Sequence, residues 1–400
     1  MPIKKRIQYK PVSLRELLTE MKDITELMLD LAYSAILFRN KEIAEEVIKL
    51  EEDIDSLTYL VGMNTMLAAR DADDAECLEP ILKIANATDR ISNAAADISQ
   101  ITKFVSHPYL FKAIKESEEP LIRAIVLNPA VKNKKIGQLK IRTETGCDII
   151  AIRTGQKWNF DPSKNTKLKL NDIVIARGTN DGNTRLCDLL GGKCTRGEDI
   201  KHNKLDVYFK EDLEKIENYV LELINKSELM VDLGFSAVLL NSKEIAEDIL
   251  EMEDEIDKKY IELEQQILST AKTAPNPESL LGFLHLSKSI EEISDSAAEI
   301  AEIIIRGLKP HPIIDIIISE SDETIMRVQV EEGSEIADKV LVESKFKESG
   351  MRVVAIKRKG DWIYKIKKNA LILPHDILIV TGPIEGQKIT NNLVKKIALI

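Results

Sequence analysis

The chain repeats itself. Residues 41–55, KEIAEEVIKLEEDID, recur at 243–257 as KEIAEDILEMEDEID, with eight identities and six conservative exchanges over fifteen positions. DLAYSA at 30–35 matches DLGFSA at 232–237, and DRISNAAADI at 89–98 matches EEISDSAAEI at 291–300, all at an offset of 202. From His107-Pro108 against His311-Pro312 onward the offset is 204, and it holds through Ala151/Ala355, Trp158/Trp362, Asp172/Asp376, Gly178/Gly382 and Gly182/Gly386. Self-similarity over so long a period fixes the architecture before any local propensity is considered. The order is A-B-A-B, with unit A at 12–105 and 208–308, unit B at 107–192 and 310–400, and the polar run KCTRGEDIKHNKLD at 193–206 as linker. Four hundred residues also exceed what one core organises.

Unit A carries apolar residues at helical spacing, Ile43, Val47, Leu50, Ile54, Leu57 and Val61, with charge on the other faces. It reads as three antiparallel helices. Asn40 and Ser242 stand just before the two KEIAE runs, and both residue types cap helix N-termini by accepting a backbone N–H bond. Helix 2 is expected to start there in each copy. The next break is DADD at 71–74, matched by TAPNP at 273–277, where Pro277 suits the first turn of a third helix. In the first copy Pro80 lies further in, so that helix either starts later or is kinked. Unit B changes period. CDIIAIRTGQKW, TKLKLNDIVIARG, MRVVAIKRKGDW and NALILPHDILIVTG read as short β-branched strands with Asp-marked turns between neighbours. The expected fold class is α+β multidomain: two three-helix bundles alternating with two small α/β domains.

Net charge is -11, which repels the phosphate backbone that dominates nucleic-acid affinity and also repels anionic membrane surfaces. Neither nucleic acid nor an anionic membrane surface is expected as a general partner on that ground. Cys77, Cys147, Cys187 and Cys194 show no CxxC pairing and no zinc-like spacing, so free thiols in a reducing compartment are expected, with no disulfide framework. No apolar run approaches the roughly 18 to 20 residues needed to span a bilayer, and the start MPIKKRIQYKPVS lacks a signal core. A soluble cytoplasmic protein is expected.

Glu51 and Asp55 are four apart, which places both carboxylates on one helix face roughly 6 Å apart. Helix 3 supplies Asp89 and Asn93. With a chain reversal near residue 72, positions 53 and 91 lie at the same height of an antiparallel hairpin, so the two pairs face each other. The second copy gives Glu253, Asp257, Glu291 and Asp295 by the same arithmetic, all four carboxylates. Converging carboxylates repel unless a cation lies between them, and hard cations take oxygen ligands. The competing reading is a solvated acidic face that merely borders the core. An oxidative di-iron centre would add Glu-x-x-His motifs, which are absent.

On these residues unit A resembles the PhoU family of three-helix bundles, whose E(D)xxxD motifs match Glu51-Asp55, Asp89-Asn93, Glu253-Asp257 and Glu291-Asp295, with Asn93 the single departure. That resemblance implies a metal, iron or a divalent cation, on these positions and a regulatory rather than enzymatic role. Unit B is similar to the TrkA-C domain, also called RCK-C. HPIIDIIISESDETIMRVQVEEGSEI, ESGMRVVAIKRKGDW and LILPHDILIVTG carry the match in the second copy, and TETGCDIIAIRTGQKW, LNDIVIARG and RLCDLLGG carry it in the first. The resemblance implies a ligand-sensing module of potassium transporters or channels that takes ions or nucleotides such as cyclic di-AMP at a paired-domain interface. No residue is nominated for that ligand.

Taken together, the resemblances imply a cytoplasmic accessory of a membrane cation transporter or channel, peripheral at the cytoplasmic face. The alternative is a metal-binding PhoU-like regulator of phosphate transport or signalling. Duplication makes one chain equivalent to a dimer, with the B units pairing inside it, or between chains, and the bundles side by side.

The glycine-rich GTNDGNTRLCDLLGG at 178–192 lacks the Lys-Ser/Thr of a phosphate loop, and no dinucleotide fingerprint occurs. Trp158 and Trp362 occupy equivalent positions and are expected in the cores of the small domains rather than stacked on a ligand. His107 and His311 precede proline and read as hinge or turn residues and not as catalysts. With no nucleophile elbow and no HExxH, an enzyme is not expected.

Overall fold

The structure, a computed structural model, describes residues 9, 11–104, 114, 120–160, 162–196, 207–239, 241–307, 323–341, 346, 351–363, 366, 370–383 and 386–395. His107, His311 and linker residues 197–206 lie outside these. The first bundle comprises α1 (Leu14–Leu37), α2 (Lys41–Ala68) and α3 (Ala72–Phe104). Ser13 opens α1 with a capping box, its Oγ accepting from Glu16 N at 3.1 Å while Ser13 N donates to the Glu16 carboxylate. Asn40 Oδ1 accepts from Glu42 N at 3.0 Å and Ile43 N at 3.3 Å, so α2 starts where its cap places it. Ile43, Val47, Ile54, Leu57 and Val61 are buried along one stripe, and Leu50 is half-buried beside them.

The open choice at Pro80 resolves toward an early start. Asp71 Oδ1 accepts from Asp74 N at 2.9 Å, α3 begins at Ala72, and the proline lies inside the helix. In the second copy Asn276 caps a single 3-10 turn, Pro277–Leu280, which leads directly into the third helix.

The small domain that follows has strands β1 (Leu121–Ile125), β2 (Cys147–Thr154), β3 (Lys157–Phe160), β4 (Ile173–Gly178) and β5 (Cys194–Thr195), and a helix α4 (Asn180–Leu190). All neighbours are antiparallel in the order β3-β2-β4-β1-β5. Alternation along β4 gives the sheet two apolar faces. Val174 and Ala176 join Ile122, Leu186 and Leu190 in a core under α4, whereas Ile175, with Ala151 and Ile150, packs into the core of the bundles. Asp172 Oδ2 accepts from Lys169 N at 2.7 Å and closes the turn before β4.

The second half repeats this plan: α5 (Val207–Leu239), α6 (Lys243–Ala271) and α7 (Leu281–Ile305), then β6 (Glu323–Gln329), β7 (Lys339–Val340), β8 (Arg352–Arg358), β9 (Asp361–Ile363), β10 (Leu371–Ile372), β11 (Ile377–Pro383) and α8 (Gly386–Val394). Its main sheet runs β6-β11-β8-β9, the order of β1-β4-β2-β3, and Ala355 and Ile379 enter the bundle core as Ala151 and Ile175 do. The bundles lie side by side, α3 packing along α7. Among the described residues no helix is long and apolar enough to cross a membrane.

Candidate functional site on the paired carboxylates

The second bundle brings its acids together. On α6, Glu253 and Asp257 flank the buried Ile256, and on α7, Asp295 lies two residues beyond the buried Ile293. These acids sit at the rim of the α6–α7 seam. One carboxylate oxygen from each of Glu253, Asp257 and Asp295 lies within 4.8 Å of the others, the one such group among the described residues. Glu291 is outside that trio but feels it. Partial burial, then the charges of Asp295 and Asp257, push its carboxyl up to about 7. Glu253 and Asp295 are raised for the same reasons, burial first and the neighbouring carboxylates second, and Arg90 partly offsets the rise at Asp295. Arg90 arrives from α3 of the other bundle and pairs with Glu299. Three oxygen donors converging with like-charge repulsion between them form a donor set that fits a hard cation.

The first copy is different. Asn93 Nδ2 donates to Asp89 Oδ2 at 3.3 Å, and Thr58 Oγ1 lies 3.4 Å from Asp89 Oδ1 while also donating to Ile54 O. The Asn93 amide here does for Asp89 part of what a cation would do elsewhere, and Glu51 and Asp55 stay half-buried on α2. The residue equivalent to Thr58 is Tyr260, whose hydroxyl donates to Glu264 at 2.8 Å instead. The donor set of Glu51, Asp55, Asp89 and Asn93 therefore fits a cation less well than the second site does.

The junctions between sheets and bundles escaped sequence reasoning. Asp248 on α6 accepts from Arg327 Nε at 3.1 Å and Lys357 Nζ at 2.7 Å, and Lys357 also reaches Glu251 at 2.6 Å. Arg177 on β4 donates to Asp30 on α1 at 2.6 Å and to Glu228 on α5 at 2.5 Å. Trp158 Nε1 donates to Glu42 at the N-terminus of α2, at 2.7 Å. Both tryptophans pack against the bundle core, with Arg153 over Trp158 and Lys357 over Trp362, so they are interface residues and not cores of the small domains. The edge strands β3 and β9 turn them toward the helices. The only signal in the sequence was their equivalence.

Two of the four cysteines are not thiols. Cys187 of α4 and Cys194 of β5 form a disulfide with Cα atoms 5.9 Å apart, which corrects the expectation of free thiols throughout. Pairing of β5 with β1 carries Cys194 back beside the helix, a consequence of tertiary structure that a spacing of seven does not announce. Cys77 is exposed and Cys147 buried.

The architecture is one of helical bundles that carry small sheet domains on ionic clamps. Residues 18–102 and 220–304 match the PhoU domain, and 121–191 and 325–393 match the TrkA-C domain. The chain thus carries two PhoU domains alternating with two TrkA-C domains, which are regulatory types and not enzyme families. It is similar to the phosphate-specific transport system accessory protein PhoU homolog of Synechocystis sp., 30% identical over 114 residues, spanning 27% of this chain and 51% of that protein, about half its length. It is also similar to the crystal structure of PhoU from Pseudomonas aeruginosa, at 14% identity and a TM-score of 0.40, covering 74% of this chain and 96% of that one. A further likeness is to the GsuK RCK domain, at 13% identity and a TM-score of 0.17, covering 72% and 68%.

Proposed function

We propose that this chain is a cytoplasmic accessory protein, peripheral at the membrane, that regulates a cation transporter or channel, with potassium the transported ion. The TrkA-C sheets at 107–192 and 310–400 sense an ion or a nucleotide such as cyclic di-AMP, and the bundles at 12–105 and 208–308 pass the change to the transporter. The observation that supports this reading is the ionic docking of each sheet on a bundle, through Asp248 with Arg327 and Lys357 and through Arg177 with Asp30 and Glu228. A sheet displaced by its effector has to pull on a helix or break these pairs. A thermal-shift panel of cyclic dinucleotides, adenine nucleotides and potassium tests it, because a ligand that binds only the native state raises the melting temperature by mass action. A shift with one of these and stimulation or inhibition of potassium flux in transporter vesicles are expected; no shift with any of them leaves a plain scaffold. Light scattering decides whether the TrkA-C domains pair within one chain or between chains.

The trio Glu253, Asp257 and Asp295 favours a second reading, a metal-binding regulator of phosphate transport or signalling. These residues with Glu291 would hold iron or a divalent cation, whose charge would neutralise the carboxylates that α6 and α7 bring together. Elemental analysis of the purified protein beside Glu291→Ala and Asp295→Ala separates the readings. Metal that copurifies with the parent and is lost from both variants supports the second; protein free of metal removes it.

A further inference from the structure

Arg177 belongs to a set of charged residues whose repeat relationship is broken at one point. At the offset of 202, Asp30 of α1 is equivalent to Asp232 of α5, and Glu26 of α1 to Glu228 of α5. Four carboxylates, two from each bundle, are therefore arranged where side-chain cations reach between α1 and α5. Arg177 takes one diagonal pair, Asp30 and Glu228. The other diagonal pair is Glu26 and Asp232, and the position equivalent to Arg177 is Thr381. The strand pairings put the two on the same footing: Arg177 stands opposite Leu121 on β1, and Thr381 opposite Ile325 on β6. On that second diagonal the bundles supply their own cation. Lys22 of α1 pairs with Glu26 at 2.6 Å and is held above its ordinary pKa against burial by Glu26 and Asp232, and its repeat equivalent is the apolar Ile224.

The exchange is reciprocal on the sheet side. Asp248, the clamp of the second sheet, is equivalent to Glu46, which pairs with its own neighbour Lys49 at 2.8 Å. Arg153, the counterpart of Lys357, lies over Trp158. The second sheet is thus fastened by ion pairs to α6 of its own bundle, whereas the first is fastened across the seam between bundles. No ligand is needed to explain Arg177. The cavity beside it, lined by Tyr33, Ile224 and the three paired residues among others, has a volume of about 10 Å³, room for one water at the Tyr33 hydroxyl.

We infer that Arg177 is the coupling residue of this protein: it ties the first TrkA-C domain to both PhoU bundles at once, while the ion pairs of the second TrkA-C domain reach one bundle among the described residues. Two charge-assisted bonds from one planar guanidinium hold Asp30 and Glu228 in fixed relation, and without it two half-buried carboxylates face each other uncompensated. A rotation of the first sheet then shifts α1 and α5 together, and with them the alignment of the bundles; a rotation of the second sheet is felt at α6. By linkage, any partner that changes how the bundles meet changes the first sheet and not the second. The effector is part of the reading proposed above, but the tether itself is a property of the ligand-free chain.

Pulsed dipolar spectroscopy on the full chain tests the tether without any effector. With Cys77→Ala as background, spin labels are placed pairwise at exposed positions: Lys134 with Glu20 for first sheet to first bundle, Lys134 with Lys215 for first sheet to second bundle, and Lys359 with Lys243 for second sheet to second bundle. Three narrow distance distributions are expected for the background protein. Glu228→Gln broadens the Lys134–Lys215 distribution, Asp30→Asn broadens Lys134–Glu20, and Arg177→Gln broadens both, with Lys359–Lys243 unchanged in every case. Narrow distributions throughout the three variants overturn the inference, and so does equal broadening of the Lys359–Lys243 pair, which is general loosening. Should Arg177→Gln fail to fold, the two carboxylate variants still decide between the outcomes. Absence of any effector in the thermal-shift panel removes the sensing reading and leaves this result standing.

Discussion

Two side chains report their surroundings through their protons. Burial pushes the Cys147 thiol up to about 11, with Asp148 adding to the rise, so almost no thiolate is present at neutral pH, whereas Cys77 is exposed and Cys187 and Cys194 are bonded to each other. Native protein under non-reducing conditions is expected to take up one iodoacetamide, at Cys77, and unfolded protein two; mass spectrometry after each treatment reads the count. Glu291 is the second reporter. Its carboxyl rises from an ordinary 4.5 to about 7, so the folded state holds its proton more tightly than the unfolded chain. Its contribution to stability is complete below 4.5 and is lost as the pH climbs to about 7, leaving repulsion with Asp295 and Asp257. In chelator the melting temperature is expected to fall across that interval, and Glu291→Gln to flatten the fall. An unaltered slope in the variant removes Glu291 as its source.

At the scale of elements, the long helices are set by local chemistry. Asn40 satisfies two backbone N–H groups of α2, and Ser242 satisfies one of α6 while its own hydroxyl lies 3.0 Å from Glu244. Asn40→Ala is therefore expected to cost about 1 kcal/mol and Ser242→Ala somewhat less, measured by urea unfolding. Equal, negligible effects would mean that the helix starts are held by packing alone. Such caps, the apolar stripe of α2 and the repeating strands are legible in sequence because they depend on neighbours a few residues away. Trp158 and the Cys187–Cys194 bond are not, because β3 has to meet α2 and β5 has to meet β1 before either contact exists. The carboxylate site falls between these cases. Spacing of four places Glu253 and Asp257 on one face, and hairpin geometry brings Asp295 to them, but Glu291 stays outside the trio and Asn93 turns its amide onto Asp89.

For the whole molecule, duplication dictates the alternation of bundle and sheet but not the attachment of sheet to bundle. That attachment rests on partners far apart in the chain: Asp248 meets Arg327 and Lys357 across 79 and 109 residues. Asp248 is buried, and both cations that face it are largely withdrawn from water. Replacing it with alanine takes the carboxylate partner from Arg327 and leaves Lys357 with Glu251 and the Trp362 ring. Removing one member of a buried ion cluster costs about 3–5 kcal/mol, and the surviving Lys357–Glu251 pair places this case at the lower end. The loss should not spread evenly, because the bundle cores and the α3–α7 seam do not depend on Asp248. Calorimetry of Asp248→Ala is expected to split off an early transition for the second sheet, while Arg177→Gln leaves that sheet in place and loosens the first. Joint replacement of Asp248, Arg327 and Lys357 by apolar residues should recover much of the lost stability, since no buried charge is then left unmatched and Glu251, which loses Lys357, is exposed. A single transition at the parent temperature for Asp248→Ala would mean that apolar packing through Ala355 and Ile379 holds the second sheet without its ion pairs.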